Sequence, residues 1–217
     1  MFSEIIDYLY IIPAALIAII LHEISHGLVS SWLGDPTPKR QGRLSLNPLK
    51  HLDPVGTLCL IIFHVGWAKP VVVNPEYYKN KKRGMALVAL AGSVTNFLIA
   101  IISIIIISLI AVFATAEITI VNIIFNFFTY LAIINLGLGI FNLIPIPPLD
   151  GSRIFGAFLS DAAYEIYMKI ERYGFIIIAV LLVLSSLRGG GVSIVSELVQ
   201  NIFMFFYKSF VKLFLLI

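Results

Sequence analysis

The chain has 217 residues, of which 59% are hydrophobic and only 12% charged, with a formal net charge of +3; soluble domains run at about 45–50% apolar and about 25% charged. Its mean hydropathy of +1.00 excludes an ordinary water-soluble domain and leaves an integral membrane protein. So small a charge excess gives no footing for a nucleic-acid partner, and the single cysteine, Cys59, excludes an internal disulfide.

The first ten residues, MFSEIIDYLY, carry Glu4 and Asp7 where a cleavable signal would carry Lys or Arg, so the first apolar segment is expected to be retained. About 20 apolar residues are needed to cross the hydrocarbon core. Runs of that kind predict spans at residues 8–33, 84–113 and 118–141, with a shorter one at 173–187. A last run, 192–217, is interrupted by Lys208 and Lys212 and fits either a span or an amphipathic helix on the membrane surface. Between the first two spans, TLCLIIFHV and PVVVN have the β-branched content and the turn-residue borders of short strands. The expected fold is therefore an all-α polytopic membrane protein with a small membrane-associated β-hairpin or sheet and about five to six membrane-embedded helices. It forms one core domain, residues 1–217, read as segments 1–33, 34–83, 84–141, 142–172 and 173–217.

Charge placement predicts orientation. Of the fifteen Lys and Arg, Lys39, Arg40, Arg43, Lys50, Lys69, Lys79, Lys81, Lys82 and Arg83 lie between the first two spans. The positive-inside rule makes that segment cytoplasmic. The N-terminus is then outside, the hairpin of the second and third spans turns outside near Glu117, and 142–172 returns inside. Trp67 reads as an interfacial anchor and the basic run from Lys79 to Arg83 as a contact for anionic headgroups of the bilayer.

Chemistry concentrates in IILHEISHGL, residues 19–28. His22 and His26 are four apart and share one helix face, a spacing that suits two imidazoles on one zinc ion. Glu23 beside them can act as general base on a water without being a ligand, as in the H-E-x-x-H arrangement. Ionisable groups inside a membrane segment are costly and mark function. A catalytic zinc takes three protein ligands, and the chain offers His51, His64 and several carboxylates as the third. Asp150 is preferred, because Pro145, Pro147 and Pro148 break the backbone just before it. Irregular backbone at membrane depth is tolerated where it lines a cavity. An N-cap for a helix starting near Ser152 is the competing role of Asp150. For His51 and His64 a hydrogen-bonded structural role is the better reading.

Four stretches together resemble the site-2 protease family of intramembrane zinc metalloproteases: HEISH at 22–26, HLDPVGTL at 51–58, GWAKPVVVNP at 66–75 and NLIPIPPLDG at 142–151. The resemblance implies one zinc per chain, with Asp150 as third ligand and Asn142 helping to hold the substrate carbonyl or the oxyanion. It also implies a single-span membrane protein as substrate. Where the family often has G-P-x-x-N in its second core span, GSVTN here keeps Gly92 and Asn96 but has Ser93 for the proline. No PDZ or CBS module is visible, which suggests a minimal core. A membrane zinc transporter or sensor using the same ligands is the alternative, but the second and third spans carry almost no ionisable groups for a transport path.

Overall fold

Residues 2–53, 69–114, 119–174, 176–178, 180 and 191–216 are described by the computed structural model. In chain order they form α1 (Phe2–Trp32), α2 (Thr37–Arg40), two 3-10 turns (Pro48–Lys50 and Pro75–Tyr77), α3 (Lys81–Phe113), α4 (Thr119–Asn142), α5 (Asp150–Gly156), α6 (Asp161–Met168) and α7 (Gly191–Phe214). The 31 residues of α1 and the 33 of α3 make rods of about 46 and 50 Å. Both exceed the hydrocarbon thickness of about 30 Å.

The long helices pack along rows of buried residues spaced by four, most of them small. On α1 the row is Ala14, Ala18, His22, His26 and Ser30, all buried; on α3 it is Gly84, Val88, Gly92, Asn96, Ala100, Ile104 and Ser108. Residues four apart form one ridge of a helix surface, and small side chains let backbones approach where lipid supplies no hydrophobic drive. Leu87, Leu90, Val94, Leu98 and Ile102 point the other way and are exposed, the arrangement a lipid-facing surface requires. One face of α7 closes the bundle: Val199 joins Ala100, Ile104, Ala132 and Leu136, flanked by Phe203, Phe206 and Phe210.

Two parts of the expected fold are corrected. Among the described residues three helices, not five to six, are long and apolar enough to span: Asp7–Trp32, Lys81–Phe113 and Thr119–Asn142. In α7, Glu197, Lys208 and Lys212 dilute the hydropathy, and α5 and α6 have only seven and eight residues. Of the predicted span at 173–187, residues 173–174, 176–178 and 180 are helical and the remainder lies outside the described residues.

The β-hairpin is likewise not found: no strand occurs among the described residues. The stretch PVVVN, residues 70–74, runs irregularly because its main-chain donors are used elsewhere. Val71 N–H donates to Glu23 and Asn74 N–H to Asp35, and Pro70 has no N–H to give. Residues 57–65, with Cys59 and His64, lie outside the described residues, as do Trp67 and the turn at Glu117.

Candidate metal centre

Helical geometry delivers the two histidines, and the turn after α4 delivers the carboxylate. His22 Nε2 and His26 Nε2 are 3.0 Å apart. Asp150 Oδ2 lies 3.1 Å from the first and 3.3 Å from the second. Each ring is fixed through its other nitrogen by α3: His26 Nδ1–H donates to the carbonyl of Val88 at 2.7 Å and His22 Nδ1–H to Asn96 Oδ1 at 2.6 Å. Both Nε2 atoms are thereby left as acceptors.

Asp150 Oδ2 is itself buried and accepts no hydrogen bond of good geometry. Three acceptors facing one another repel unless a cation lies among them. Tetrahedral zinc with bonds of about 2.0–2.1 Å has ligand–ligand edges of roughly 3.3 Å, which these separations approach. The residues fit a metal ion.

The competing role for Asp150 fails on geometry. Leu149 is the N-cap of α5, no side chain caps it, and Asp150 is the first helical residue, its carboxylate turned to the histidines. Two glycines make this closure possible. A Cβ on Gly92 would come within 2.5 Å of Cε1 of both histidines, and one on Gly151 would collide with the carbonyls of Leu143 and Ile144 at the end of α4. The chain turns back through Leu143–Leu149, where Tyr167 Oη–H donates to the carbonyl of Pro145 and the Pro147–Pro148 peptide is cis.

Glu23, Asn142, Val71 and Arg153 line the same cavity of about 310 Å³ as His22, His26 and Asp150. Glu23 Oε2 accepts from Val71 N–H at 2.8 Å. Asn142 Nδ2–H donates to the carbonyl of Leu138 at 3.1 Å. His51 lies apart from this group, its Nε2 bonded to the carbonyl of Ser45.

Sequence reasoning noted Asn96 without giving it a role, and it missed the Val88 carbonyl and the Val71 amide. Main-chain groups carry no residue-type signal. Asn96 has one, since a lone Asn in an apolar run must find a buried partner.

Residues 10–185 match the family model described as Peptidase family M50. The chain is similar to "Putative zinc metalloprotease YwhC" of Bacillus subtilis, with 36% identity over 182 residues covering 80% of each chain. It is also similar to "Putative zinc metalloprotease Rip2" of Mycolicibacterium smegmatis, with 24% identity over 186 residues covering 83% of this chain and 69% of that one. No solved structure matches the chain. Since the family match contains both the helix with the histidines and the turn with Asp150, the chain belongs to peptidase family M50, the site-2 protease family of membrane zinc metalloproteases.

Proposed function

We propose that the protein cleaves peptide bonds within or near the membrane-spanning segment of single-span membrane proteins, holding one zinc ion on His22, His26 and Asp150. The convergence of their three acceptor atoms within 4.8 Å carries this reading. When bound, zinc supplies Lewis acidity, polarising the scissile carbonyl and lowering the pKa of water toward about 7. Glu23, on the same cavity wall, removes the proton of the attacking water and returns it to the leaving amine. Its bond to the Val71 amide fixes one carboxylate oxygen and so limits the rotation of the base. Asn142, from the end of α4, donates to the developing oxyanion after giving up its bond to Leu138.

Arrangement in the membrane follows from charge. The N-terminus is outside and the zinc site toward the cytoplasmic end of α1, near the basic residues 79–83.

The test uses purified protein in detergent with a single-span substrate. Glu23→Gln should retain zinc and lose cleavage by about 10²–10⁴-fold, the usual weight of a general base; cleavage at the unmodified rate would remove Glu23 from the reaction. Asp150→Ala should lose zinc, and unchanged metal stoichiometry would remove Asp150 from the site.

A further inference from the structure

The two histidines are held by α3 in different ways. His26 leans on a main-chain carbonyl, that of Val88, so its tautomer is settled whatever side chain stands there. His22 leans on a side-chain amide, Asn96, and an amide can turn over. Rotated by half a turn, Asn96 would present its NH₂ to His22 Nδ1 and send the imidazole proton to Nε2, where a metal ligand must have a lone pair.

What prevents the rotation is a second amide on a third helix. Asn96 Nδ2–H donates to Asn135 Oδ1 at 2.7 Å and to the carbonyl of Ala18 at 3.3 Å. Asn135 Nδ2–H in turn donates to the carbonyl of Leu131 at 2.8 Å. Each NH₂ thus faces a main-chain carbonyl, an acceptor with no alternative role. Turning Asn96 over would set its oxygen against two acceptors, and turning Asn135 over would set its oxygen against the Leu131 carbonyl. Both asparagines are fully buried, so no solvent can make good a reversed amide.

We propose that Asn96 and Asn135 are positioning residues, a buried amide pair that locks His22 in its Nδ1–H tautomer and so sets how tightly the site holds its metal. Donation runs one way along the chain of bonds, from His22 on α1 through Asn96 and Asn135 to the carbonyl of Leu131 on α4. The side chain of Asn135 is hydrogen-bonded to Asn96 and to the Leu131 carbonyl, so it acts on His22 through Asn96. The inference rests on the metal-site reading given above.

Zinc affinity is measured by competition with a chromophoric chelator on the full chain in detergent, for Asn96→Leu, Asn135→Leu and the double variant. The visible absorption of cobalt-loaded protein and the thermal unfolding of metal-free protein are recorded alongside, and Asn135→Ala stands in if Asn135→Leu does not fold. Partners of a ligating histidine are worth on the order of 10–100-fold in metal affinity. The expectation is a loss of that size in each single variant, a double variant no weaker than Asn96→Leu alone, and displaced cobalt bands. Affinity in Asn135→Leu within about twofold of the unmodified chain, or losses that add in the double variant, would overturn the relay. Asp150→Ala separates the two ideas. If it abolishes zinc binding while Asn135→Leu leaves it unmoved, only the relay falls; if zinc binds equally well without Asp150, the metal site falls with it.

Discussion

Asp35 shows how much one buried carboxylate can organise. It is almost completely buried just past α1, where its two oxygens accept from Ser30 Oγ–H, Thr37 N–H and Asn74 N–H at 2.7–2.8 Å. Burial alone would push its pKa up, but these donors outweigh burial and hold the carboxyl below the usual range. The Asn74 bond also pins the segment that carries Val71 over the cavity. A depressed folded-state pKa gives stability that is present above the unfolded value of about 3.9 and is lost as pH falls through the folded value. Asp35→Asn should therefore destabilise the protein by about 2–3 kcal/mol at pH 7, the scale of bonds to a charged group. The difference from the unmodified chain should shrink below about pH 4; thermal unfolding in detergent across pH 3–8 measures it.

At the scale of elements, the four-residue rows do two jobs along their length: toward one end the α3 row cradles the histidines, toward the other it builds the packed core. Ile104 is fully buried against Ala132, Leu136 and α7, twelve residues and about 18 Å along the helix from Gly92. Ile104→Ala should cost about 2–4 kcal/mol of stability while zinc stoichiometry stays at the unmodified value, which unfolding and metal analysis read separately. The histidine pair was legible in the sequence because a helix converts a spacing of four into one face. Asp150 was legible because three prolines forced the preceding backbone out of a helix. The Asn96–Asn135 contact was not, since pairing between helices is set by how their ridges settle. The β-branched stretch at 70–74 misled because such residues report a taste for half-buried extended surface, and here the Val71 amide is committed to Glu23.

For the whole molecule, three spans among the described residues were legible from hydropathy, whereas the count of five to six overreached there by treating α7 as equivalent to them. Composition measures apolarity without saying which face is covered. α7 has both a packed face and charged positions, and only the bundle reveals the difference. Sites far apart in the sequence meet at one point. His26 and Asp150 are 124 positions apart (150 − 26), and they approach to 3.3 Å. On the proposed metal reading, an ion between them would act as a rivet through the first helix and the turn beyond the third span, fastening a very long loop that the chain must otherwise close at its own entropic cost. Stripping the metal should therefore lower thermal stability by about 2.7 kcal/mol relative to protein held at a hundredfold excess over the dissociation constant. Asp150→Ala, already lacking one leaf of the rivet, should show no such difference in the same melt.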